Sequence, residues 1–556
     1  MSRQSLRPVK FLCLLGVLGL SVPLRGAVES PIADAAMHRD KAALQTLLRQ
    51  GSDVNAPQGD GMTALHWAAA TGDADVAALL VNARAAVNPA TRISAETPLH
   101  VAGRLGAAAV IDVLLRAGAD ANAATTTGAT PLMFAAGAGD AASVKLLLAH
   151  GAKVNLKEAA KGHTALMFAA AADRAPVIKL LLESGADANA TTTVFDLSEV
   201  QIAPDRTAQN NASSVGQRAA QQDRTPQVAG RERRYEQNEL VAAQGGLTAL
   251  HFAARQGHVE AVKAFLDGGV DINQVTAGVG ASTLLLAIIN GHFDLAMYLL
   301  EKGANPNLTE ENGVAALYAA VNLRWIDEAE YPQPRAYLQQ KTSYLQLMQA
   351  LLDKGADPNI RVTKKVWYSG YGRDNSGVDE MGSTAFWRAA YSSDVEGMRL
   401  LLAHGADPNI RTVTVGRPQP AANGLPGVPS GGPNSTPLHA AAGDGTLQSF
   451  AQLNGHRTHP AGWLPAVKYL VEEVGLDVNA RDANGNTPLH YAAARGDNEM
   501  IQYLVSKGAD VTLVNRRGQT TADAANGPLQ RVQPFPETVK LLESLGAKNN
   551  HKCVSC

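Results

Sequence analysis

Apolar positions along this chain come in short bursts at helical spacing, separated by polar and glycine-bearing turns. The stretch Thr487–Val511 shows the pattern in full: Leu489 with Ala492–Ala493 makes one narrow apolar face, and Met500–Ile501 with Leu504–Val505 makes a second. That spacing predicts two short amphipathic helices in succession. Thr487 suits the N-cap, since its hydroxyl can accept an orphan backbone N–H. Pro488 suits the first helical position, where a missing N–H costs nothing. Gly496 and Gly508 are expected to end the two helices, because glycine takes positive φ without strain. Isolated helices shorter than roughly 12–15 residues are marginal in water. Each hairpin must therefore be stabilised by stacking on a neighbour.

The unit recurs. Thr63, Thr97, Thr130 and Thr164 each open a T-x-L-H or T-x-L-M segment, at intervals of 34, 33 and 34 residues, and Thr248, Thr436 and Thr487 open others. A period of this length means a solenoid and not a single globular core. On these segments, and over most of its length, the chain resembles the ankyrin repeat family. The resemblance implies an all-α fold, an ankyrin-repeat solenoid of stacked helix–turn–helix units with β-turn fingers. It also implies a partner surface on the concave face of the first helices and on the fingers. His490 recurs in the same slot as His66, His100, His251 and His439, which points to a structural hydrogen-bonding residue and away from a ligand or base.

Twelve units can be counted. The first opens at Ser30–Pro31, and others open near Thr63, Thr97, Thr130, Thr164, Thr248, Ser282, Ala315, Thr384, Thr436, Thr487 and Thr520. Leu285 takes the histidine slot in the Ser282 unit, and the Ala315 unit is the weaker match. The end units are the most polar or irregular, as capping repeats should be. Arg84 stands where other units carry glycine after the second helix, so a looser turn is expected there.

Insertions interrupt the array in two ways. Thr191–Gly245, Val362–Gly382 and Thr412–Asn434 lengthen turns between units, whereas Arg324–Lys341, Thr446–Trp463 and Pro528–Pro536 split the helices of one unit. The expected organisation is a signal peptide at 1–27, repeats 1–5 at 30–190, a disordered insertion at 191–245, repeats 6–12 at 246–547 and a cysteine-bearing tail at 548–556. The 191–245 segment is Gln-, Arg-, Ala- and Ser-rich, which reads as disorder; its Arg231–Arg234 cluster reads as a solvated linker or as a contact for an acidic partner. Three of the five tryptophans, Trp325, Trp367 and Trp463, lie in insertions with Tyr331, Tyr337, Tyr368 and Tyr371. They either pack the insertions onto the stack or form an aromatic binding patch. Candidate partner-binding residues late in the first helices are Arg104, Leu105, Arg255, Gln256, Ile289, Asn290, Tyr391, Ser392 and Arg495, with Trp325, Trp367, Tyr368 and Tyr371 from the insertions.

A net charge of −2 and a pI near 6.7 give no global pull toward nucleic acid or an anionic membrane. At the N-terminus, Arg3, Arg7 and Lys10 precede the apolar run Phe11–Leu20. The run is too short to span a bilayer and reads as an export signal. Ala27 is a weak cleavage position, because Arg25 sits where a small residue is preferred; an uncleaved anchor is the alternative. A periplasmic or secreted protein of bacterial type follows. The tail carries His551, Cys553 and Cys556. Cys553 and Cys556 form a possible redox or disulfide pair, an interrupted haem-attachment motif lacking its histidine, part of a zinc site that a second chain would complete, or a pair with no role. His456 and His459 are a possible metal pair or two solvated imidazoles.

No nucleophile elbow, zinc-protease motif, Walker-type loop or paired-carboxylate motif occurs. The expected function is a non-catalytic scaffold for protein–protein interaction outside the cytoplasm. It is expected to be a monomer with a protein partner, without nucleic acid, cofactor, metal or a membrane span after signal cleavage. The alternative is a redox- or haem-linked accessory protein that uses the C-terminal pair, and a third reading is a secreted effector that meets host proteins.

Overall fold

The structure is a computed structural model that describes residues 30–196, 243–325, 336–364, 366, 380–413, 434–443, 460–527 and 533–552. Among these residues 24 α-helices fall into twelve successive hairpins. Units 1 to 4 pair Pro31–Met37 with Lys41–Arg49, Ala64–Thr71 with Ala74–Asn82, Pro98–Leu105 with Ala108–Arg116, and Pro131–Ala138 with Ala141–Ala149. Units 5 to 8 pair Ala165–Ala171 with Ala175–Glu183, Ala249–Gln256 with Val259–Asp267, Thr283–Ile289 with Phe293–Glu301, and Ala316–Trp325 with Tyr344–Asp353. Units 9 to 12 pair Ala385–Tyr391 with Val395–Ala403, Pro437–Ala442 with Leu464–Glu472, Pro488–Ala494 with Asn498–Ser506, and Thr521–Ala525 with Pro536–Ser544.

The chain divides into two compact bodies. One holds the described residues up to Leu132 with Lys145–Ala152, and the other holds Met133–Val144 with the described residues from Lys153 onward. Within the first body, the first helices of units 1, 2 and 3 pack in sequence. Within the second, those of units 5 through 12 do the same. The seam between them is built from small side chains. Ala68 and Ala69, Ala253 and Ala254, and Ala492 and Ala493 are fully buried, so neighbouring helices approach closely.

The helix ends follow from the sequence. Thr487 has extended backbone at the N-cap and Pro488 opens the helix. Gly496 is left-handed at φ 70, and a Cβ there would lie 2.6 Å from the Phe535 ring. Arg84 adopts the same region at φ 65. The turn after unit 2 is therefore not looser; it keeps the glycine geometry and a non-glycine residue bears the strain.

Two backbone devices link successive units. In several units an asparagine at the end of the second-helix loop reaches into the next unit. Asn359 Oδ1 accepts from the Asp407 N–H at 2.8 Å, and its amide donates to the Gly405 carbonyl at 2.9 Å. Asn155, Asn307 and Asn479 make the same pair of bonds. The second device closes each inter-unit turn. The N–H of Asp482 donates to the Asn486 carbonyl at 3.0 Å, and Thr276 to Ala281 at 3.0 Å. The lengthened turns close in the same way, with Thr192 donating to Leu247 at 3.0 Å, Val362 to Ser383 at 3.0 Å and Thr412 to Ser435 at 3.1 Å. At the longest insertion a short antiparallel ladder extends the closure, with Val194, Phe195 and Asp196 opposite Gly245, Gln244 and Ala243. The two described ends of the 191–245 segment are thus ordered strands, which the composition of that segment did not suggest.

Candidate partner-binding surface

The face that the first helices present depends on how their N-termini are fixed. In unit 11 the Thr487 N–H donates to His490 Nδ1 at 3.2 Å, and the two side chains meet at 2.9 Å. Because a backbone N–H points at Nδ1, that nitrogen is the acceptor and the imidazole is the neutral Nε2–H tautomer. Nε2–H then donates to the Gln519 carbonyl in the next turn. His66, His100, His251 and His439 repeat the arrangement, reaching the carbonyls of Glu96, Ala129, Gln274 and Asn486 at 3.0–3.1 Å. Each histidine ties its own helix start to the following finger. Burial disfavours the charged form, so these imidazoles sit below their ordinary pKa, with His251 and His490 pushed down to about 4. Among the units that lack the histidine, Ser30, Thr164, Ser282, Thr384 and Thr520 cap the first helix through their own side chains.

The helix ends expected to meet a partner fall into two groups. In the first body Arg104 and Leu105 are exposed, Leu105 at 54%, and Arg104 pairs with Glu96. In the second body Gln256 and Asn290 are exposed, Arg255 and Ile289 are half-buried, and Arg255 lies over the Phe252 ring at 5.1 Å. Arg495 is different. It is largely enclosed, stacked 3.5 Å over the Trp463 ring and paired with Asp497 at 2.7 Å, so it is occupied within the fold.

Trp325, Tyr391 and Ser392 are also interior. Trp325 is 4% exposed and Tyr391 2%. The Trp325 indole N–H donates to Asp394 Oδ2 at 2.9 Å, and the Tyr344 hydroxyl donates to the same carboxylate at 3.1 Å. Asp394 is fully buried and caps the second helix of unit 9 through the Gly397 N–H. Next to it Arg388, also buried, donates to Asn322 Oδ1 at 2.7 Å, to the Trp325 carbonyl at 3.2 Å and to Ser392 Oγ. Tyr391 stacks on Trp387 with centroids 5.4 Å apart. As placed, Trp325, Tyr391 and Ser392 join units 8 and 9 and offer no side chain to a partner. The sequence reading missed the partners of this network, Arg388 and Asp394. The one visible signal was an arginine in a first helix where every other unit except the first, which has Asp34, carries an apolar or aromatic residue.

On the opposite helix row of units 7 to 9 lies a shallow groove of about 710 Å³, lined by Met297, Leu345 and Leu400 with Glu396, Asp353 and Lys341 at its edges. Trp367, Tyr368 and Tyr371, the pair Cys553 and Cys556, the pair His456 and His459, and the N-terminal apolar run lie outside the described residues. Among the described residues no cluster of His, Cys, Asp and Glu has the arrangement of a metal site, and no helix is long and apolar enough to cross a membrane.

Within each body, hairpins that pack on their neighbours, with a Thr–His clamp running from helix to finger, define a helical-repeat solenoid. Family comparisons specify which kind. Models described as ankyrin repeats match residues 32–125, 106–192, 229–310 and 250–330 (three copies), 456–505 (many copies) and 381–413 (a single repeat), and the chain belongs to the ankyrin repeat family. It is 41% identical over 75 residues to a mouse B-cell lymphoma 3 protein homolog, covering 14% of this chain and 17% of that one. It is 33% identical over 86 residues to bovine ankyrin repeat domain-containing protein 37, covering 15% and 54%. It is 39% identical over 79 residues to mouse protein phosphatase 1 regulatory subunit 12A, covering 14% and 8%. The matched segment is therefore a minor part of the mouse relatives and about half of the bovine one. Among solved structures, the human ASB11 ankyrin repeat domain aligns with 47% of this chain and 92% of its own at 26% identity and a TM-score of 0.34. Ankyrin repeats are protein–protein interaction modules.

Proposed function

We propose that this chain is a non-catalytic scaffold that binds a partner protein through the exposed ends of its first helices and the adjoining fingers. The observation that carries the reading is positional. The same two helix-end positions, Arg104 and Leu105 in one body and Arg255–Gln256 and Ile289–Asn290 in the other, differ in chemistry from unit to unit. The alanines one turn earlier are buried and uniform. Exposed, variable side chains on a rigid buried seam suit recognition without a reaction centre. The Thr–His clamps hold the fingers fixed beside those positions, which lowers the ordering cost of binding. The chain acts as a monomer, without cofactor or metal.

We further propose that it works outside the cytoplasm, on the strength of the basic-then-apolar run from Arg3 to Leu20. N-terminal sequencing of the protein recovered from the periplasmic and culture fractions tests that point; recovery only from the cytoplasm with residue 1 intact sinks it. The scaffold reading is tested by affinity capture with the full chain, comparing the parent with Leu105→Asp and with the double variant Gln256→Lys/Asn290→Lys. These side chains are exposed, so melting temperatures should hold. Capture should fall at least tenfold for one of the two variants, and equal capture by all three proteins would overturn the assignment of the surface.

A further inference from the structure

The fingers of units 9 to 12 carry an arginine row that the helix-end surface does not use. Arg361, Arg411 and Arg481 occupy one equivalent position in three successive inter-unit turns, each directly after Pro-Asn-Ile or Val-Asn-Ala. Their side chains run along the turns in order. Arg361 Nε donates to the Gly382 carbonyl at 2.9 Å, and its Nη2 to the Arg411 carbonyl at 2.6 Å. Arg411 Nη1 donates to the Arg481 carbonyl at 3.2 Å, and Arg481 Nη1 to the Val514 carbonyl at 3.1 Å. Every acceptor is a neutral backbone oxygen. Among the described residues none of the three forms an ion pair; Asp510 feels the Arg481 charge without pairing to it. Arg411 and Arg481 each use one of the five N–H donors of a guanidinium, which leaves edges for a bidentate carboxylate. Arg516 continues the run at the next turn and is exposed. This concentration of positive charge belongs to a chain whose net charge is −2.

The spacing selects the shape of the partner. Packed helices lie about 8–10 Å apart, so equivalent arginines repeat at about that interval. A β-strand does not fit, because residues three apart point to opposite faces. A polyproline-II segment has three residues per turn and rises about 3.1 Å per residue, which puts every third side chain on one face at about 9 Å. Among the described residues the exposed apolar side chains beside the row are the aliphatic Val413 and Val514. Single-stranded nucleic acid binding relies on aromatic platforms for base stacking, whereas a peptide needs only aliphatic contact.

We propose that Arg361, Arg411, Arg481 and Arg516 form the docking surface for an extended acidic segment of a partner protein, with carboxylates at every third residue. The inference rests on the scaffold reading and specifies its ligand chemistry. Fluorescence anisotropy with the full-length chain tests it, using labelled twelve-residue peptides of Glu-Pro-Ala repeats, a same-composition peptide with the glutamates clustered, Lys-Pro-Ala repeats and a twelve-nucleotide thymidine oligomer. The Glu-Pro-Ala peptide should bind at least fivefold tighter than the clustered one and weaken with added salt, and the lysine peptide should not bind. Arg411→Gln/Arg481→Gln should weaken binding at least tenfold, and Arg411→Lys/Arg481→Lys should recover part of the loss. Circular dichroism melts of both variants report whether the fold is kept. Equal binding of glutamate and lysine peptides, an unaffected glutamine variant with a native melt, or tighter binding of the oligonucleotide overturns the proposal. Partner capture that persists while the acidic peptide fails to bind overturns this inference alone; loss of both overturns the scaffold reading with it.

Discussion

His490→Leu is the substitution that tests the histidine clamp most directly, because unit 7 already carries Leu285 in the same slot and folds with it. His490 is fully buried, accepts from the Thr487 N–H and donates to the Gln519 carbonyl. Its variant should lose about 1–3 kcal/mol at pH 7.5, since buried groups lose hydrogen bonds. The sharper expectation concerns pH. His490 has a folded pKa of about 4 against an ordinary value of 6.5. A base whose folded pKa is depressed contributes stability fully above its unfolded pKa, and that stability is lost as pH falls from 6.5 toward 4. At pH 5 the unfolded imidazole is mostly protonated and the folded one mostly neutral, so linkage removes about 2 kcal/mol relative to pH 7.5. The charged groups that act on the imidazole are Arg481, which lowers the pKa, and Asp523, which raises it; His439 also lowers it. All remain in the variant, as does every other titrating residue. The difference between parent and variant should therefore shrink by about 2 kcal/mol between pH 7.5 and pH 5.

Hydrogen exchange of the Pro488–Ala494 and Thr521–Ala525 helices, followed by mass spectrometry on both proteins at each pH, reads this locally. A local reading matters because a repeat array need not unfold as one cooperative unit. Protection lost on substitution should be smaller at pH 5 than at pH 7.5. An equal loss at the two pH values, or a larger one in acid, would refute the neutral clamp and the tautomer assigned to it.

Three further outcomes follow from named contacts. Glu310 is buried with Oε2 unpartnered and a carboxyl pushed up to about 7 by desolvation; Glu310→Gln should stabilise by up to about 3 kcal/mol at pH 7.5, with most of the gain lost as pH falls from about 7 to 4.5, as read from urea unfolding at pH 7.5 and pH 4.5. Arg84→Gly should raise stability by about 0.5 kcal/mol, because relief of the left-handed backbone slightly exceeds the added unfolded-state freedom, and a thermal melt is sufficient to detect it. Asn359→Ala removes both bonds that join the loop after unit 8 to the loop after unit 9; a loss of about 1–2 kcal/mol is expected, visible as faster exchange in the Val395–Ala403 helix.

What could be read from sequence was whatever local physics sets within one unit. The Thr-Pro-Leu-His segment specifies an N-cap, a first-turn proline, a buried leucine and a bonded histidine without reference to the rest of the chain, and each behaves that way at Thr487–His490. The count of twelve hairpins followed from the same signal. Failures occurred where partners are distant. Trp325 and Asp394 are 69 residues apart, and Arg388 and Asn322 are 66 apart. No periodic pattern announces such pairs, so the sequence left Trp325 either packing an insertion or forming a binding patch and put Tyr391 on the surface; both are interior. Exposure of a helix-end residue is likewise a property of the adjacent unit. Arg495 is enclosed because Trp463 covers it, whereas Leu105, at the same place in unit 3, is exposed.

The placement of the insertions has an energetic logic that bears on function. The closing hydrogen bond of each finger is the same whether it spans Asp482 to Asn486 or Thr192 to Leu247. Loop-closure entropy grows only with the logarithm of length, so lengthening a turn from about 5 to about 55 residues costs about 2 kcal/mol. The Val194–Asp196 ladder against Ala243–Gly245 and the bond between Leu247 N–H and Thr192 Oγ1 offset part of that cost at the base of the insertion. Beyond it the stack resumes. Lys179 pairs with Asp267 at 2.8 Å, and the Ala261 N–H donates to Asp173 at 3.0 Å, joining units 5 and 6 directly. The insertions at 324–341, 446–463 and 528–536 fall between the two helices of one unit, and the paired helices of units 8, 10 and 12 still pack on each other, because the same slow growth of closure entropy applies there. The fingers also carry the arginine row. A scaffold that adds recognition elements there leaves its packing intact, which is why the buried seam is uniform while the turns differ.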